Sequence, residues 1–139
     1  MVDRRTALRV SGTLEIVLGI GHSIVGTVLF TAPQALVPLL GLIPAPAEVL
    51  TPITVPALRY LMEGVFLIAG WDWIVFGSIL LWLARVPARP GDRVLLGLVL
   101  AQQVGFLLLM LVFLRFHWPA IVQIVAMIAA LAAARRSAT

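Results

Sequence analysis

Few side chains in this sequence can do chemistry, and most of them interrupt long apolar runs. Asp72 stands between Trp71 and Trp73 in the run 58–83, with Glu63 towards the other end of it. Glu15 and His22 interrupt the run 6–30, and Gln102 and Gln103 the run 94–114. A carboxylate at mid-membrane depth costs about 3 kcal/mol to insert, so such a group is normally held in a bundle interior, where it has partners or a purpose. In a dry interior a neutral carboxylic acid can protonate an oxygen or an alkene, while a histidine accepts or relays a proton.

The elements that must position these groups follow from composition. Of 139 residues, 62% are hydrophobic and 12% charged, which is too much apolar surface for a water-soluble domain of this length to hide. The expected architecture is all-α: one domain over 1–139, a bundle of four membrane-spanning helices at 6–30, 58–83, 94–114 and 119–134. The first three reach the ~20 residues that a bilayer requires, and the fourth is short. Asp3, Arg4 and Arg5 lead into an apolar run too long for the core of a signal peptide and without a cleavage site, so a cleaved leader is not expected.

Charge sets the orientation. All ten basic residues are arginines, and eight of them (Arg4, Arg5, Arg9, Arg85, Arg89, Arg93, Arg135 and Arg136) fall on one side of this arrangement. Only Arg59 and Arg115 fall on the other. The bias predicts a multi-pass protein of the inner (plasma) membrane with both termini cytoplasmic. Arginines gathered at the ends of apolar runs report topology and not nucleic-acid binding. The connection 31–56 then lies outside. It carries six prolines in an otherwise apolar stretch, which forbids a long regular helix and predicts a lid or an interfacial strap.

A rise of 1.5 Å per residue from each apolar edge gives approximate depths of about 8 Å for Glu15, 18 Å for His22, 16 Å for Asp72 and 12 to 14 Å for Gln102 and Gln103. His22, Asp72 and a glutamine of the third span are therefore expected in one slab near the midplane. Glu15 and His22, seven apart, share a helix face, and Gly12, Gly19 and Gly26 mark nearly the same face as a close helix seam. Glu63 and Asp72, nine apart, point to opposite sides of their helix, and Glu63 follows Arg59 by one turn as an interfacial ion pair would. The candidate catalytic groups are Asp72, His22, Glu15 and Glu63. The candidate substrate-binding side chains are Trp71, Trp73, Gln102, Gln103 and Tyr60.

Several chemistries lack their residues. There is no cysteine, so disulfides, thiolate catalysis and Cys-ligated metals are excluded. No H-x-x-x-H or E-x-x-H spacing, phosphate loop or G-x-S-x-G elbow occurs, and His117 in the outer turn is half a membrane from His22. Neither a metal nor a cofactor is expected.

Gly19-Ile-Gly-His22-Ser-Ile-Val-Gly26, with Trp73-Ile-Val-Phe76-Gly77, resembles a family of small four-span actinobacterial membrane proteins of unassigned function. That resemblance implies four helices and no particular activity. Gly12-Thr-Leu-Glu15-Ile-Val-Leu-Gly19 is similar to the first helix of the small multidrug resistance transporters, four-span proteins with a lone glutamate there, and implies a proton-coupled carrier, in which Glu15 and Asp72 would trade protons for substrate. The later acidic residues and the long outer loop depart from that second pattern.

The residues favour an enzyme performing cofactor-free acid–base chemistry, such as epoxide opening, cyclisation or isomerisation, on a lipophilic small molecule in a mid-membrane pocket. The alternatives are a proton-coupled carrier of hydrophobic cations, which at this length would need to act as a homodimer, and a membrane scaffold whose polar groups only join helices.

Overall fold

The computed structural model of the chain describes residues 3–31, 56–113 and 118–136. They form four helices: α1 (Arg4–Thr31), α2 (Pro56–Leu83), α3 (Asp92–Phe113) and α4 (Trp118–Arg136). Each matches an expected span to within two residues at either end. Two of them contain stretches long and apolar enough to cross a membrane, Arg4–Val28 and Glu63–Leu83, and Pro119–Arg135 is a shorter apolar helix. Apart from its ends, the proline-rich connection lies outside the described residues, as do Arg115, His117 and the side chains of Arg59 and Tyr60.

Helix ends follow local chemistry. Asp3 caps α1: its carboxylate accepts from the Thr6 backbone N–H at 2.9 Å and from the Thr6 hydroxyl at 2.7 Å, while its carbonyl accepts from Ala7 N–H. The bonds from the Thr6 hydroxyl and the Thr6 N–H hold the Asp3 carboxyl below its ordinary value of 3.8. At the start of α3, Asp92 accepts from the Arg89 backbone N–H at 3.1 Å and places a negative charge on the positive end of the helix dipole.

The four helices form a ring in chain order. Contact is most extensive between α1 and α2, continues through α1 with α4 and α4 with α3, and is least between α2 and α3. The α1–α2 seam is made by glycine on both sides. A Cβ on Gly12 would come within 2.7 Å of the Gly77 carbonyl oxygen, and one on Gly77 within 2.6 Å of the Gly12 oxygen. A Cβ on Gly19 would stand 2.6 Å from the oxygen of Gly70, and Gly26 lies against the ring of Phe66. The expected small-residue face is thus matched by glycines spaced seven apart on α2, which keeps two backbones in contact along a shallow crossing.

Around this seam, Ala7, Leu8, Leu80, Leu83, Ala84, Leu96, Val99 and Ala133 form an apolar cluster near the arginine-rich end. Outward faces are apolar as well: Val17 and Ile24 on α1, Val65 and Ile68 on α2, Leu98 and Val112 on α3, and Ile121 and Ile128 on α4 are all exposed. A bundle apolar both inside and outside buries polar side chains at its centre only for a reason.

Candidate functional site

An ion pair fixes where the centre falls. The Arg4 guanidinium donates to Asp92 Oδ2 at 2.7 Å and to the carbonyl of Leu83 at 3.4 Å, tying the start of α1 to the end of α2 and the start of α3. Chains α1 and α3 run the same way, so equal steps along each keep them level. Eleven residues are three turns and about 16 Å, and they return a side chain to nearly the same face. Eleven residues from Arg4 is Glu15; eleven from Asp92 is Gln103. Gln103 Nε2 donates to Glu15 Oε1 at 2.7 Å.

The other two helices complete the cluster. Gln123 of α4 donates from Nε2 to the same Glu15 Oε1 at 2.7 Å, and its Oε1 accepts the indole N–H of Trp73 of α2 at 2.8 Å. Gln103 Nε2 also reaches Ser11 Oγ at 3.4 Å. Glu15, Ser11, Gln103 and Gln123 are wholly buried, and Trp73 is 2% exposed. Every helix contributes one of these partners, and the α1–α3 and α2–α4 diagonals meet there. Because an indole N–H can only donate and a carboxylate oxygen only accepts, the Gln123 amide has one consistent orientation, oxygen to Trp73 and nitrogen to Glu15.

One side of this network lacks donors. Glu15 Oε1 accepts two N–H groups, whereas Glu15 Oε2 and Gln103 Oε1 are buried and have no hydrogen-bond partner among the described residues. Gln102 has both amide atoms buried and unpartnered, one turn before Phe106 on the flank of α3 that meets Trp73. His22 Nε2 is in the same condition. The imidazole lies flat on Phe66, centroids 3.8 Å apart and 4° from parallel, and presents an edge geometry to Trp73 at 4.9 Å. Trp73 in turn stacks on Phe106 at 4.6 Å. An aromatic series His22, Trp73, Phe106 therefore borders the polar cluster.

The candidate residues divide accordingly. Glu15, Gln103 and Trp73 are joined in one network, with His22 against Trp73 and Gln102 on the neighbouring flank. Asp72 is not brought to His22: no hydrogen bond or ion pair joins them, and Trp73 rather than Asp72 faces the imidazole. The reason is angular. The side of α2 against α1 is drawn by Gly70, Ile74 and Gly77, and Asp72 is rotated to the far side of that line, half-buried. Trp71 is 64% exposed and points out of the bundle, so it does not border the cluster. Glu63 is half-buried and has no ion-pair partner among the described residues.

Gln123 and Ser11 were not among the sequence candidates. Gln123 had a signal, since it is the lone polar side chain between Pro119 and Ala134. Ser11 had little, because serine is common in apolar helices.

Among the described residues no group of three or more His, Cys, Asp or Glu side chains is placed to hold a metal ion. No family model matches the chain, and no curated protein or solved structure matches it either.

Proposed function

We propose that this protein is a four-span integral membrane enzyme, both ends on the cytoplasmic side of the plasma membrane, performing cofactor-free acid–base chemistry on a lipophilic small molecule. Glu15 is its central acid. The membrane reading draws on the outward apolar faces of all four helices and on the eight arginines gathered at one end.

The observation that carries the chemistry is the asymmetry of the Glu15 carboxyl. One oxygen is pinned by two amide donors and the other has none. Buried among four helices, that second oxygen calls for a donor, and a proton of its own or a donor on a bound molecule is each a state of an acid–base cycle. As the acid, Oε2–H gives its proton to a substrate oxygen or alkene. As the base, it takes one back from a neighbouring position. Cyclisation or isomerisation then balances with no net proton and no redox partner, and epoxide opening consumes one water. Gln103 and Gln123 hold the carboxyl at a fixed angle, His22 Nε2 supplies a second proton acceptor, and Trp73 and Phe106 offer faces that stabilise developing positive charge.

The carrier reading draws on Glu15, and not Asp72, being the interior carboxylate. Against it stands the enclosure of Glu15 by the four helices of a single chain, where a dimeric carrier would place the acid between protomers.

The test is turnover of lipophilic epoxides and polyenes by purified protein in lipid nanodiscs, followed by mass spectrometry for isomers and water adducts. Glu15→Gln keeps the shape and both amide contacts on Oε1, and is expected to lower turnover by a factor of roughly 10² to 10⁴. Undiminished turnover in that variant removes Glu15 from the chemistry. Cation uptake driven by a proton gradient, abolished by the same substitution, makes the protein a carrier instead.

A further inference from the structure

One face of α2 is left unexplained by the interior site. Ile68 and Val75, seven apart, are exposed, and Trp82 continues the same line one heptad on. Flanking this line at mid-span, on adjacent residues, stand Trp71 and Asp72. Trp71 is exposed, and its indole N–H has no acceptor among the described residues; Asp72 is half-buried, and its carboxyl has no donor among them. Against lipid tails both groups are costly, the carboxyl above all. A scattered apolar residue in that position would call for no partner. An unpaired donor beside an unpaired acceptor does.

We infer that this face is the contact with a second copy of the chain, related by a two-fold axis along the membrane normal, in which Trp71 of each copy donates its indole N–H to Asp72 of the other. Copies inserted with one topology present every residue at the same depth as its mate. A two-fold contact therefore needs a surface that complements itself at constant depth. Trp71 and Asp72 differ by a single residue, about 1.5 Å along the helix, so they meet that condition. They lie about 100° apart around α2, on either side of the line through Ile68 and Val75, so two copies packed along that line bring each donor towards the opposite acceptor. Two bonds form for each dimer. Ile68, Val75 and Trp82 recur at the seven-residue spacing of a left-handed helix pair.

The chain has no cysteine, so single cysteines can be introduced without a background. In nanodiscs or native membranes, Ile68→Cys and Val75→Cys are expected to form disulfide-linked dimers under mild oxidation. Leu108→Cys on α3 and Ile128→Cys on α4, equally exposed, are expected to stay monomeric. Fluorescence transfer between labelled copies in vesicles, read as a function of protein density, gives the dissociation constant. Trp71→Phe keeps the aromatic bulk and removes both symmetric bonds, and is expected to weaken dimerisation roughly tenfold. Asp72→Leu should weaken it similarly, and the double substitution by no more than either alone, because both delete one interaction. Cross-linking of the four cysteine sites to equal extents overturns the inference, as does a monomer at every density. A dissociation constant unmoved by Trp71→Phe overturns it too. Whether Glu15→Gln lowers turnover bears only on the interior site.

Discussion

Replacing Gln123 by Leu tests whether the network around Glu15 holds the bundle together or merely decorates it. Leucine has nearly the volume of glutamine, so the packing term is small. Two interhelical hydrogen bonds are lost, at 2.7 Å to Glu15 and 2.8 Å from Trp73. Such bonds in membrane proteins average about 0.6 kcal/mol, with a maximum near 1.7. The Trp73 indole N–H is then buried without an acceptor, which costs about 1 to 3 kcal/mol. The sum is a loss of roughly 2 to 4 kcal/mol. Gln102→Leu is the matched control, because both amide atoms of Gln102 are buried without partners among the described residues. Removing an unsatisfied amide is expected to leave stability unchanged or to raise it by about 1 kcal/mol. Unfolding in bicelles by steric trapping measures both variants on one scale, without substrate. Agreement of the two to within about 0.5 kcal/mol would refute the reasoning, since the geometry makes them opposite in kind.

Other substitutions follow from the same contacts. Gly77→Ala puts a methyl group 2.6 Å from the Gly12 carbonyl and 2.8 Å from Ile16, and is expected to cost about 1 to 3 kcal/mol by the same unfolding measurement. Gly97→Ala and Gly105→Ala meet nothing within 4 Å on α3, and should be neutral or stabilising by up to about 1 kcal/mol. The hydrogen bonds from Thr6 lower the Asp3 carboxyl below 3.8 in the folded chain, so its contribution is complete above that pH and lost as pH falls through the lower folded value. The protection of the Thr6 amide, its exchange rate relative to the intrinsic rate at the same pH, should therefore fall in that acid range and stay constant from there to neutrality.

The helices were legible because each is a run of about 20 apolar residues ended by arginine or proline, long enough in two cases to cross a membrane. The glycine seam was legible in part. Gly12, Gly19 and Gly26 announce a close approach by their sevenfold spacing, but nothing in α1 names Gly70 and Gly77 as their mates. Facing pairs depend on how far one helix slides along the next, and slide is a tertiary quantity. The direction of Asp72 was not legible for a related reason. Depth from sequence placed it level with His22, and depth alone does not say which way a side chain turns. A rotation of about 100° separates Asp72 from Trp73, and that step exchanges the bundle centre for its outer flank.

Depth itself depends on where counting begins. Measured from Val10, the first unbroken apolar position, Glu15 lies only about 8 Å in, half as deep as Asp72. Measured from Arg4, which the ion pair with Asp92 makes the structural end of α1, Glu15 lies about 16 Å in. Gln103, counted from Asp92, lies at the same level, and each pair is separated by 88 positions in the chain. A charged residue within an apolar helix is thus better located from its partner at the helix end than from the hydropathy edge. The consequence is testable in this bundle. Asp92→Ala removes the ion pair and the acceptor for the Arg89 N–H, and is expected to cost about 1 to 3 kcal/mol. If Arg4 and Asp92 set the level of α1 against α3, the double variant Asp92→Ala with Gln103→Leu should lose less than the sum of the two single losses. Simple additivity would mean that the glycine seam and α4 fix that level by themselves, and that the eleven-residue match is a coincidence of spacing.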